Sequence, residues 1–273
     1  MMSPIGVFDS GYGGLTILRQ IRQYLPSHDF LYLGDNARAP YGPRSFEVIY
    51  AYTLQAVEAL FERGCKLVIL ACNTASAKAL RSIQQNDLAR WGDDRRVLGI
   101  IRPTTEIIGS LTISRHVGLL ATAGTVQSES YNLEIQKFFP DITLTGMACP
   151  MWVHLVENDE YDSPGADYFV RKRIEGILRL DPKIDTLILG CTHYPLLMGK
   201  IVKYTPAGVR IVTQGEYVAQ SLVSYLERHP DMDACLSKRG TCHYLTTENP
   251  EKFKESATIF LHEQVEAEKI ELK

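Results

Sequence analysis

The sequence predicts an α/β protein of two pseudo-symmetric domains, each a mainly parallel sheet flanked by helices, with a functional cleft between them. Three observations carry this prediction. Short continuous runs of Val, Ile and Leu recur along the 273 residues, and such runs mark strands buried on both faces, as in parallel sheets covered by helices. Apolar residues at helical spacing fill the intervals. Two distant strand ends carry similar local sequence, each an apolar run followed by a cysteine and then a threonine within two residues.

Taken in order, Pro4 to Phe8 is the first strand, and Leu15, Leu18, Ile21 and Leu25 give the next segment one apolar helical face. Phe30 to Leu33 is the second strand. Phe46, Ile49, Thr53, Val57 and Leu60 then recur at helical spacing before Gly64, a C-cap because glycine enters the left-handed region without penalty. Lys66 to Ala71, Val97 to Ile101, Val117 to Ala121, Ile142 to Gly146, Asp185 to Leu189 and Val209 to Val212 supply the remaining strands. No linker or low-complexity segment divides the chain.

The internal similarity lies in strand ends. Leu67 to Ala71 followed by Cys72-Asn73-Thr74 parallels Thr186 to Gly190 followed by Cys191-Thr192-His193, and Ile5 to Gly11 parallels Val117 to Ala123. Asp9 precedes Cys72 by 63 residues and Ala121 precedes Cys191 by 70. Ligands of parallel α/β sheets collect at the carboxyl ends of strands, so two such halves set face to face would bring both cysteine loops into one cleft.

Composition narrows the class. Hydrophobic residues are 45%, charged residues 22% and the formal net charge is −3, the profile of an ordinary globular protein with no basic patch for nucleic acid. The start shows no secretion leader and no apolar run reaches the roughly 20 residues of a membrane helix, so a cytoplasmic protein without membrane contact is expected. Six cysteines in this length do not form a small disulfide scaffold, and Cys65/Cys72 and Cys235/Cys242 are spaced too widely for a zinc knuckle. No metal is expected.

Cys72 and Cys191 are the reactive candidates. A thiol between a buried strand and a helix start meets unpaired N–H groups and the positive end of the helix dipole, which favour thiolate and draw its pKa from about 8.5 toward neutrality. Such a group suits proton transfer. Cys65, Cys149, Cys235 and Cys242 read as packed apolar side chains. Asp9 ends the first strand before Ser10-Gly11-Tyr12-Gly13-Gly14, a turn able to approach an anion. A dinucleotide fingerprint would need a third glycine at Thr16, and no Gly-Lys-Ser/Thr follows for a phosphate loop. Pro40-Tyr41-Gly42 reads as a turn beside Asp9. Asn73, Thr74 and Thr192 suit either helix capping or carboxylate binding, and His193 suits either a proton relay or a packed histidine.

Gly6-Val7-Phe8-Asp9-Ser10-Gly11 with Gly13-Gly14, Gly34-Asp35 with Pro40-Tyr41-Gly42, Ala71-Cys72-Asn73-Thr74-Ala75 and Gly190-Cys191-Thr192-His193-Tyr194-Pro195 together resemble the glutamate racemases of the aspartate/glutamate racemase superfamily. Weaker similarity at Ala121-Thr122, Gly124-Thr125, Leu155-Val156-Glu157 and Asn249 to Phe253 extends it over nearly the whole chain. The resemblance implies a first domain of residues 1–96 plus 209–273 and a second of 97–208. It implies cofactor-independent interconversion of L- and D-glutamate, supplying D-glutamate for peptidoglycan precursors, by an enzyme that is commonly a homodimer. Cys72 would take the α-proton of D-glutamate with help from Asp9, and Cys191 that of L-glutamate with help from His193 and Glu157. Asp9, Ser10, Tyr41, Gly42, Asn73, Thr74, Thr122, Thr125, Thr192 and His193 would bind substrate. Arg102 and Thr213-Gln214-Gly215-Glu216 depart from the commoner family pattern. An aspartate racemase using the same two cysteines and a nucleotide-binding module built on the glycine turn are the competing readings.

Overall fold

A computed structural model describes residues 2–273. Its strands are β1 (Ile5–Asp9), β2 (Phe30–Gly34), β3 (Leu67–Leu70), β4 (Arg96–Gly99), β5 (His116–Ala121), β6 (Thr143–Ala148), β7 (Thr186–Gly190), β8 (Arg210–Val212), β9 (Cys242–Thr246) and β10 (Ala267–Lys269). They form two sheets, β10-β9-β2-β1-β3-β4 and β6-β5-β7-β8. Every pairing is parallel, and helices supply the crossovers.

The apolar runs form the central strands for the expected reason. β1, β2, β3 and β7 are buried at every position, so they need apolar side chains on both faces. β9 and β10, which no continuous Val/Ile/Leu run announced, extend the sheet beyond β2, with β9 between β2 and β10 and β10 at the edge. The helix Phe46–Glu62 ends as its sequence predicts, with Gly64 at φ +90° just past its end; at its start Ser45 accepts the Val48 N–H.

Sheet membership revises the expected division. β4 belongs to the first sheet and β8 to the second, so the chain passes between halves near Ile100 and near Thr213, rather than at 96/97 and 208/209. Apolar strand content alone could not say which sheet a short edge strand would join. Around the second sheet, Trp152 and Tyr194 pack edge to face with ring centroids 4.7 Å apart, and the Tyr194 hydroxyl donates to the Cys149 carbonyl at 3.3 Å. Truncating a buried aromatic such as Trp152 would cost about 3–5 kcal/mol.

Candidate active site

Strand register decides which residues meet at the carboxyl edges. Phe8 stands opposite Leu70, and the Ala71 N–H donates to the Phe8 carbonyl at 2.7 Å, so Asp9-Ser10 and Ala71-Cys72 leave the first sheet side by side. In the second sheet Ala121 stands opposite Gly190, which sets Thr122 beside Cys191. The two edges share a narrow pocket with a cavity volume of about 20 Å³. Cys72 and Cys191 both line it.

Cys72 caps the helix Asn73–Lys78, its Sγ accepting the Ala75 N–H at 3.4 Å and lying 3.3 Å from the Ser10 Oγ. The expected fall in its pKa does not occur. Burial, followed by the charge of Asp9, pushes the thiol up to about 12, and the Ser10 and Ala75 hydrogen bonds offset only part of this. A six-residue helix carries too little dipole to outweigh the loss of water around the sulfur. Asp9 is itself fully buried. Its Oδ2 accepts the Gly11 N–H at 2.9 Å, while Oδ1 has no partner among the described residues. Burial raises its carboxyl pKa, against the lowering effects of His193 and of the Gly14 and Gly11 N–H groups. Asp9 is not among the residues lining the pocket, and its charge is felt at the Cys72 thiol.

Cys191 heads a chain of contacts. Its Sγ lies 3.8 Å from His193 Nδ1, and His193 Nε2 lies 3.0 Å from Glu157 Oε1. Burial opposes the charged imidazole, but its bonds to Cys191 and Glu157 prevail and hold the His193 pKa well above the usual 6.5. Glu157 is held below the usual carboxylate range, its burial outweighed by His193. His193 is thus both packed and linked to the thiol. Cys191-Thr192-His193 leads into a 3₁₀ turn, Tyr194–Leu197, before the helix Met198–Tyr204, where direct entry into a helix was expected.

The glycine turn has a steric cause. A Cβ on Gly13 would stand 2.4 Å from both His193 Nδ1 and Thr192 Oγ1, and one on Gly14 would stand 2.5 Å from Asp9 Cβ. Gly13 lets the first strand's loop close on the second cysteine loop, and Gly14 lets that loop fold back over Asp9.

The other expected residues divide into two groups. Ser10, Tyr41, Gly42, Asn73, Thr74, Thr122, Glu157, Thr192 and His193 line the pocket. Thr125 stands behind it, 3.1 Å from the Thr122 hydroxyl, which in turn meets Thr74 at 2.9 Å. The Tyr41 hydroxyl donates to buried Asp35, which also takes the Arg38 Nε–H at 2.7 Å, so Tyr41 offers the pocket only its ring and backbone. Gly42 accepts the Gly124 N–H at 3.0 Å across the halves. Pro40, from the Pro40-Tyr41-Gly42 turn, and Val153 also line the pocket; Val153 carries no chemistry that a sequence pattern would single out.

Comparison with known proteins agrees with this geometry. Residues 5–222 match the family model described as Asp/Glu/Hydantoin racemase. A glutamate racemase from Roseobacter denitrificans is 41% identical, covering 96% of this chain and 98% of that protein. Among solved structures, a glutamate racemase isoform from Bacillus anthracis superposes with a TM-score of 0.89 at 33% identity, covering 99% of this chain and 98% of that one. A glutamate racemase from Francisella tularensis, solved in complex with D-glutamate, gives 0.87 at 30%, covering 99% and 98%. A matched family model over most of the sequence, full-length relatives and two parallel sheets that meet at paired cysteine loops lead to one conclusion: the chain belongs to the Asp/Glu racemase family, within its glutamate racemase branch.

Proposed function

We propose that this protein interconverts L- and D-glutamate by moving the α-proton between Cys72 and Cys191, without a cofactor, and so supplies D-glutamate for peptidoglycan precursors. The observation that carries the reading is that two thiols from strand ends of different sheets line one small pocket. Inversion at a tetrahedral carbon needs a base on one face and an acid on the other, so one sulfur enters as thiolate and the other as thiol, and each turnover exchanges them. Cys72 serves D-glutamate and Cys191 serves L-glutamate.

Each sulfur has its own support. The Asp9 charge and the Ser10 hydroxyl act on Cys72, whereas His193 and Glu157 act on Cys191. Because burial pushes the Cys72 thiol upward, its thiolate must be generated inside the closed complex, where the substrate ammonium supplies a positive charge. Ser10, Asn73, Thr74, Thr122 and Thr192 hold the substrate through hydroxyl, amide and backbone groups, and the cationic His193 offsets carboxylate charge. Among the described residues, no helix is long and apolar enough to cross a membrane. A homodimer in the cytoplasm is the working assembly, supported by the family resemblance and testable by light scattering.

The test is α-proton exchange in deuterated water, with D-glutamate and D-aspartate compared. Wild type should racemise glutamate preferentially, and Cys72→Ala and Cys191→Ala should each lose at least about 10²–10⁴-fold while remaining folded. A folded, active alanine variant at either position refutes the two-thiol mechanism.

A further inference from the structure

We propose that Gln214 is a positioning residue that holds Asn73, and with it the Cys72 loop, in register with the opposing half. The inference rests on the racemase reading above and adds a residue to it. Gln214 lies where the chain returns from the second sheet to the first, directly after β8 and Thr213, in a stretch that departs from the commoner family pattern. Its side chain is buried at 3% exposure, and both ends are used. Oε1 accepts the Asn73 Nδ2–H at 2.6 Å. Nε2 donates to the Ile100 carbonyl at 3.0 Å and to the Tyr131 hydroxyl at 2.8 Å. Tyr131 closes a triangle by donating to Asn73 Oδ1 at 2.7 Å.

The placement of these partners gives the triangle its meaning. Ile100 directly follows β4, at the other passage between halves. Tyr131 is carried by the second half, on the helix Ser130–Phe138. Asn73 adjoins Cys72 and lines the pocket. One buried amide therefore ties both passages to the residue beside a proposed catalytic thiol, while Gln214 and Tyr131 stay out of the pocket wall. Buried polar networks of this kind fix geometry because a partner left unpaired is costly. Loss of the amide lets Cys72 drift relative to Cys191, and a displacement of about 1 Å at reacting groups costs on the order of 10²-fold.

The experiment compares wild type with Gln214→Met, Tyr131→Phe and the double variant, using D-glutamate in deuterated water. Two quantities are read: kcat, and the ratio of deuterium appearing in recovered D-glutamate to deuterium in L-glutamate. That ratio is independent of how much enzyme is folded, so a merely structural role would not move it. Misaligned thiols more often return a solvent-exchanged deuteron to the face the proton left, so the ratio rises while kcat falls about 10- to 100-fold for Gln214→Met. Tyr131→Phe, which removes a single hydroxyl, moves both in the same direction by less, and the double variant is no worse than Gln214→Met because both act through Asn73. If Gln214→Met and Tyr131→Phe keep the wild-type ratio, with kcat changed only in step with the folded fraction, the positioning role is wrong. Should Gln214→Met fail to fold, the Tyr131→Phe ratio alone decides. A wild type that exchanges no α-proton refutes the racemase reading instead, so the two failures are told apart.

Discussion

Substituting Gly13 with alanine adds one methyl group at the most crowded point between the two cysteine loops. The new Cβ would lie 2.4 Å from His193 Nδ1, 2.4 Å from Thr192 Oγ1 and 2.7 Å from His193 Cε1. Comfortable contact is about 3.5 Å, so His193 and Thr192 must retreat by about 1 Å. His193 cannot do so freely, because it bridges Cys191 at 3.8 Å and Glu157 at 3.0 Å. Overpacking of this kind costs about 1–3 kcal/mol in stability, and moving His193 by about 1 Å relative to Cys191 should lower kcat on the order of 10²-fold. Circular dichroism at fixed wavelength follows racemisation of either enantiomer, and a thermal melt reports stability. Gly199→Ala is the control: its Cβ meets nothing within 4 Å, it lies in the helix Met198–Tyr204, and the change should stabilise by about 0.5–1 kcal/mol with activity intact. If Gly13→Ala matched the control in both rate and melting temperature, the packing of the glycine turn against His193 would be irrelevant to the reaction.

Four further outcomes follow from the site's electrostatics and packing. Glu157→Gln removes the charge that helps keep His193 protonated, so the alkaline limb of the rate profile should move to lower pH. It should also cost about 1.5–3 kcal/mol. Because the His193 pKa is raised and that of Glu157 lowered, this difference is full between the two ordinary values, is lost as pH rises through the raised imidazole value, and is lost as pH falls through the lowered carboxylate value; denaturant melts across pH check the window. Asp9→Asn should inactivate yet stabilise: burial raises the Asp9 pKa, so its ionisation costs stability above the ordinary 3.8, and the variant's gain in melting temperature should grow as pH rises and vanish below that value. Alkylation of Cys72 by iodoacetamide in the ligand-free protein should quicken about tenfold per pH unit through the mildly alkaline range, and a plateau near neutrality would contradict the upward displacement of its thiol. Tyr41→Phe leaves buried Asp35 short of a donor and should cost about 1–3 kcal/mol with a raised KM, checked by chemical denaturation and steady-state kinetics.

Strands with long apolar runs were legible because burial on both faces leaves a compositional trace, and the paired cysteine loops were legible because strand ends in parallel sheets gather function. β9 and β10 were not, since Cys242-His243-Tyr244 and Ala267-Glu268-Lys269 mix polar with apolar residues and leave no continuous apolar run to mark them. The thiol of Cys72 was misjudged because local sequence reveals a helix start but not how completely tertiary packing excludes water or that a buried carboxylate lies nearby. Asp9 was legible by its place at a strand end, but its complete burial was not, because that comes from packing against distant segments. Gln214 showed only as a departure from a pattern; its partners Asn73, Tyr131 and the Ile100/Thr104 helix start come from three segments that no spacing rule connects.

The second sheet is an insertion: β5 to β8 form one unbroken stretch, whereas the first sheet takes β1 to β4 from one end of the chain and β9 and β10 from the other. Synthesis on the ribosome therefore presents the inner unit complete while the outer one still lacks two strands. At ~5–20 residues per second the exposed edge of β2 waits roughly 10–40 s for β9 to emerge and cover it. During that interval β2 is an open template for another nascent chain, which makes the final 60 or so residues the stretch whose early termination most favours aggregation.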